Sequence, residues 1–140
     1  MVIWKSDYDE AEIKNVRIVE KRLSIQFPQD YLNYAIKYQG GKPSPSNILV
    51  EDEGVRIQLS CLLTFLAFDE LDILERYNSV KNLISTGLIP FGLGSDEYLF
   101  CFDYRSGNVP SIVLCRPYSD SELKEVYVCN SFNDLIDKLF

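Results

Sequence analysis

Tyr98-Leu99-Phe100-Cys101-Phe102-Asp103-Tyr104-Arg105-Ser106-Gly107-Asn108, followed by Ser111-Ile112-Val113-Leu114-Cys115, is the stretch that decides the fold. Successive side chains of a strand point to opposite faces, so Tyr98, Phe100 and Phe102 oppose Leu99, Cys101 and Asp103 across a pleat. Arg105 to Asn108 has the composition of a turn, and the run from Ser111 to Cys115 then reads as a second strand. Downstream, Glu125 to Cys129 gives a third. Ser131 opens a final helix, with Asp134 three residues on as a variant of the capping box and Leu135, Ile136 and Leu139 as anchors.

Upstream, Leu71, Leu74, Tyr77, Val80, Leu83 and Ile84 recur at helical spacing, which predicts a helix from about Asp69 to Ser85 with Gly87 just beyond it. Residues 62–68 read as a further strand or a bend. Ile48-Leu49-Val50 and Val55 to Leu59 flank Glu51-Asp52-Glu53-Gly54, the pattern of a hairpin. Two helices precede them. Val16, Val19, Glu20 and Leu23 mark one face of the first, which starts between Asp9 and Asn15. The second runs from Gln29 to Tyr38, with Pro28 placed in its first turn, where a missing N–H costs nothing. Gly40-Gly41 then supplies the left-handed residue that closes a helix, and Pro43 blocks continuation. Hairpin-connected strands with helices gathered around them imply an α+β fold with a mainly antiparallel sheet, one domain over residues 1–140.

The material for one core is present. The chain has 140 residues, 46% hydrophobic and 13% aromatic, and a chain of about 150 residues buries roughly 70% of its unfolded surface. Cys61, Cys101, Cys115 and Cys129 form no C-x-x-C pair and lie in apolar stretches, so they read as reduced core thiols. The first ten residues lack the apolar core of a signal peptide, and no apolar run approaches the length of a membrane span. The expectation is a soluble, cytoplasmic protein without membrane contact.

Histidine, the usual general base near neutral pH, is absent from the sequence, which removes Ser-His-Asp and Cys-His nucleophilic sites. Gly92-Leu93-Gly94-Ser95 is followed by no Gly-Lys-Ser/Thr and reads as a turn between Phe91 and the Tyr98 strand rather than a phosphate loop. Asp69-Glu70 and Asp96-Glu97 are adjacent carboxylates of the kind that is usually solvated, not a metal or acid–base pair. No catalytic residue, cofactor or metal is expected.

The formal charge of −7 is uneven, because residues 51–97 carry nine acids against Arg56, Arg76 and Lys81. An acidic field repels phosphate backbones, which argues against direct nucleic-acid binding, and it steers a basic partner. Its other reading is a surface that only keeps the protein soluble.

The ordered set of signals resembles a known superfamily. Val16-x-x-Val19-Glu20-x-x-Leu23-x-Ile25-x-Phe27-Pro28-x-Asp30-Tyr31 with Tyr38-Gln39-Gly40-Gly41-x-Pro43 is similar to the amino-terminal signature of the SUKH superfamily, which includes fungal cell-wall assembly regulators and bacterial immunity proteins. Leu88-Ile89-Pro90-Phe91-Gly92, Phe100 to Tyr104, Pro110 to Val113 and Ser131-Phe132-x-x-Leu135 resemble its later strands and last helix. Gln39 departs from the family pattern, which has Asn before the glycines. The resemblance implies a sheet curved against helices and function by binding. In the bacterial branch it implies neutralisation of a cognate intracellular toxin, many of which are nucleases with basic clefts. The acids Glu51, Asp52, Glu53, Asp69, Glu70, Asp72, Asp96 and Glu97 are then the expected partner-binding surface, with a basic toxin domain as the partner and the protein itself a monomer or weak dimer. The alternative is a regulatory adaptor that binds a host protein.

Overall fold

The computed structural model describes residues 1–50, 53–117 and 125–140. Strands β1 (Ile3–Lys5) and β2 (Lys42–Ser44) pair with each other. A six-stranded antiparallel sheet holds β3 (Asn47–Val50), β4 (Val55–Leu62), β5 (Leu88–Gly94), β6 (Leu99–Asp103), β7 (Ser111–Cys115) and β8 (Glu125–Cys129) in chain order. Four helices accompany it: α1 (Ile13–Leu23), α2 (Gln29–Ala35), α3 (Ile73–Val80) and α4 (Phe132–Lys138). The fold is α+β with a curved, open antiparallel sheet, as the sequence implied.

Alternation places two apolar faces on the same strands. Phe100 and Phe102 of β6 join Phe91, Ile112 and Leu114 in the main core with Val16 and Val19 of α1, Tyr31, Leu32 and Ala35 of α2, and Phe132 and Leu135 of α4. Leu99 and Cys101 point the other way, into a smaller cluster with Leu88, Val113, Cys115 and Val80 of α3. Tyr31 is the hub of the main core, with ring centroids 5.0 Å from Phe102, 5.4 Å from Phe132 and 5.6 Å from Phe91, all edge-on. Such offset contacts add to the area term of burial. All four cysteines are free and buried. Burial pushes the Cys101 thiol well above its ordinary pKa, so it packs as a small hydrophobe.

Three polar side chains lock the helices together. The buried Glu20 carboxylate accepts from the Phe27 N–H at 2.7 Å and from Arg17 at 2.6 Å, tying α1 to the segment that leads into α2. Asp30 accepts from the N–H of Tyr31 and, at 3.0 Å, from that of Asn133, so it joins α2 to α4. Gln39 is buried, donates to the Asp9 carbonyl and accepts from the Phe65 N–H, so its amide bridges two distant segments.

Several expectations are corrected. Helix α2 stops at Ala35 and the chain continues through turns to Gly40, while Pro28 is its N-cap with extended backbone (ψ 141°) and not a first-turn residue. Gly40 does take the left-handed conformation (φ 68°), and a Cβ there would lie 2.4 Å from the Tyr8 ring. Helix α3 is shorter at both ends than its apolar spacing suggested. Thr64 exchanges backbone hydrogen bonds with Leu71 and Ile73, which commits residues 69–71 to a turn and a bridge before the helix starts. Residues 62–68 are mainly the bend that leads into that bridge. Gly92 and Gly94 lie inside β5, and the turn falls one step later, at the single 3-10 turn Ser95–Glu97. The β1–β2 pair had no signal in the sequence, because three-residue strands show too little alternation.

Candidate functional site

The acidic residues separate into two groups with different local chemistry. At the start of α3, Asp72 is buried and is the helix N-cap. One carboxylate oxygen accepts from the N–H of Leu74 at 2.8 Å and of Glu75 at 3.3 Å, and the other from Phe68 at 3.0 Å. Side-chain oxygens at this position satisfy donors that the first turn leaves unpaired. Asp69 is half-buried, accepting from the Leu71 N–H and from the Tyr8 hydroxyl. That bond to a carboxylate favours the neutral phenol and pushes the Tyr8 pKa up to about 12. Glu70 is exposed, and its backbone carbonyl accepts from Arg76.

The second group is a tip at the turns of the sheet. Glu53 follows β3, and its N–H closes the hairpin turn on the Val50 carbonyl. Asp96 and Glu97 occupy the β5–β6 turn, both exposed and both left-handed, with φ of 55° and 67°. For residues with a Cβ this conformation costs about 1 kcal/mol or more. It is imposed by the tightness of the connection: Gly94 donates to the Tyr98 carbonyl at 2.7 Å, and a Cβ on Gly94 would lie 3.1 Å from that same oxygen. Ser95 anchors the turn by accepting from the Gln58 N–H of β4. Glu53 and Tyr98 border one small apolar gap with Val50, Val55 and Leu114, which brings the two turns to the same end of the sheet. No ion pair to Glu53, Asp96 or Glu97 is formed among the described residues.

The structure therefore brings Glu53, Asp96 and Glu97 together, and leaves Asp69 and Glu70 in a separate group beside Thr64, past the far end of β4. Asp72 is withdrawn from the surface altogether, because its carboxylate is enclosed by the N–H groups it caps. Glu51 and Asp52 lie outside the described residues. Among those described, no group of three or more His, Cys, Asp or Glu side chains has the geometry to hold a metal ion. No helix among them is long and apolar enough to cross a membrane.

A surface feature that sequence reasoning missed lies at the opposite edges of the sheet. Leu49 and Val50 of β3, Tyr127 to Asn130 of β8 and its following turn, and Asp134, Asp137 and Lys138 of α4 line one groove. Leu49 is 49% and Tyr127 52% exposed. The alternation of β8, with Val126 buried between exposed Glu125 and Tyr127, was the available signal.

These features define an α+β domain with an acidic tip and an open-edged sheet, without a concave site of converging catalytic groups among the described residues. Comparison with family models places it further: the model of the SMI1 / KNR4 family (SUKH-1) matches residues 9–138. The chain belongs to this family, and the superfamily resemblance read from its motifs is confirmed. Comparison with curated proteins gives no match. Family membership is compatible with immunity or regulatory roles and suggests protein–protein interaction.

Proposed function

We propose that this protein acts by binding another protein rather than by catalysis, and that it neutralises a cognate intracellular toxin with a basic surface. The observation that carries the reading is the tip: Glu53, Asp96 and Glu97 are exposed, close together and free of basic partners among the described residues. Carboxylates held on tight turns can face a basic cleft built for phosphates, and opposite charge accelerates encounter and fixes orientation. The turn backbone supports the same reading, since left-handed non-glycine residues are retained where the surroundings over-determine them and cluster at functional positions. Glu51 and Asp52, adjacent in sequence to Glu53, extend this surface in the proposal. Asp69 and Glu70 form a second, weaker candidate patch.

The test is co-expression with toxins encoded in neighbouring genes, scored as rescue of growth. Rescue by the native protein, lost in a Glu53→Lys, Asp96→Lys, Glu97→Lys triple variant that still folds, is the expected result. Failure to rescue against every neighbouring toxin, with salt-resistant capture of a host protein, would replace this reading with that of a regulatory adaptor.

A further inference from the structure

The groove between β3 and β8 separates the two outer strands of the sheet, and its backbone chemistry says what fits it. Strand β3 pairs only with β4, and β8 only with β7. On the outer edge of β3, Asn47 exchanges both backbone hydrogen bonds with Phe140, N–H to carbonyl at 3.1 Å and carbonyl to N–H at 3.0 Å. That mutual exchange is the narrow pair of an antiparallel ladder, so the edge already accepts strand pairing at one residue. Backbone groups alternate sides along a strand, and Leu49 therefore points its N–H and carbonyl outward as Asn47 does. The opposite side of β3 confirms the phase, since the Leu59 N–H reaches the Ser46 carbonyl and Gln58 turns its N–H away to Ser95. Among the described residues nothing pairs with Leu49 on the groove side.

Around this open edge the side chains form a mixed lining. Leu49, Val50, Tyr127, Val128 and Cys129 are apolar or amphipathic, whereas Asp134 and Asp137 are exposed carboxylates without an ion pair among the described residues. Lys138 is the one base in that lining. The cavity volume is about 480 Å³, within the range of ligand sites. The four β8-side residues 127–130 span about 13 Å at the rise of a strand.

We propose that this groove takes an extended segment of about four residues from a protein partner, added as a strand to the outer edge of β3 at Leu49. Apolar side chains of the segment pack on Leu49 and Tyr127, and a Lys or Arg reaches Asp134 and Asp137. An unpaired edge with its own row of donors and acceptors is a template for such pairing. The proposal rests on the reading that the protein works by protein binding, and it adds a second contact, remote in chemistry from the acidic tip.

The test selects random heptapeptides displayed on phage against the full-length protein, then follows amide hydrogen exchange with the best peptide as synthetic ligand. The expected sequences alternate apolar residues with Lys or Arg, and bound peptide slows exchange at the Leu49 amide at least tenfold. Leu49→Pro removes the outward donor without touching the β3–β4 ladder and should weaken binding tenfold or more. Because proline can disturb an edge strand, Asp134→Lys with Asp137→Lys is the companion variant, expected to shift selection away from basic peptides. Peptides that bind with Leu49 exchange unchanged, or equally well to all variants, would overturn the groove assignment. So would failure to select any peptide from a native protein that still rescues growth, which leaves the protein-binding reading standing and removes only this site.

Discussion

Asp72 and Asp96 carry the same side chain in the same acidic stretch of sequence, yet the structure puts them to opposite uses. Asp72 is enclosed, and its two oxygens accept from three N–H groups around the start of α3. Asp96 stands exposed on a left-handed turn beside Glu97, with Glu53 at the same end of the sheet. The difference teaches that negative charge clustered in sequence is not one surface. A carboxylate that completes a helix end is a structural element whose removal unfolds, whereas one on a tight turn contributes little to folding and remains available to a partner.

The largest expected effect breaks the first half of this contrast. Asp72→Ala leaves buried donors without acceptors and should lower stability by about 2 kcal/mol, within the range for lost caps and unsatisfied buried groups. Glu70→Ala, an exposed neighbour, should change it by less than about 0.5 kcal/mol. Urea denaturation of the two variants measures both, and equal losses would erase the distinction.

Next comes the tip. The Glu53→Lys, Asp96→Lys, Glu97→Lys triple variant should keep native stability within about 1 kcal/mol while slowing association with a basic partner roughly tenfold or more at low salt. Stopped-flow association across a salt series reads this directly. A rate that neither falls nor loses its salt dependence would reduce the tip to a solubilising surface.

Asp69 lies between the two cases, and its partner Tyr8 reports on it. The Tyr8 pKa is raised from 10.0 to about 12. A raised folded pKa means that this bond's stabilisation is fully present below pH 10 and is lost as pH rises through about 12. Asp69→Asn should bring the Tyr8 titration back toward 10, seen as phenolate absorbance that disappears in Tyr8→Phe. The smallest effect belongs to Asp103, held below the usual carboxylate range chiefly by its hydrogen bond from Arg105, a neighbour that also pairs with Glu125 at 3.0 Å. Its contribution is present above pH 3.8 and fades as pH falls through the lowered value. Asp103→Asn should remove less than about 1 kcal/mol at pH 7, and acid-unfolding curves of the two proteins should converge at low pH.

The sequence by itself determined the elements whose signals are local. Phe100 and Phe102 alternating with Leu99 and Cys101 required a strand with two buried faces. Ser131 with Asp134 marked the start of α4, and the Ser131 hydroxyl does accept from the Asp134 N–H at 3.1 Å. Gly40 announced a left-handed position that no Cβ can occupy beside Tyr8. The family followed from the order of such local signals along nearly the whole chain.

Only the tertiary structure decided which acids share a surface. Asp69, Asp72, Asp96 and Glu97 differ in sequence only by position, but Thr64 pairing across a bend committed the first two to the start of α3, while Gly94 and Tyr98 held the last two on an exposed turn. Those hydrogen bonds join residues far apart along the chain or depend on a turn one step from where glycine suggested it. The groove between β3 and β8 was equally illegible, because a free strand edge is defined by the neighbour it lacks. Periodicity records which way a side chain points; it holds no record of what lies beside the backbone.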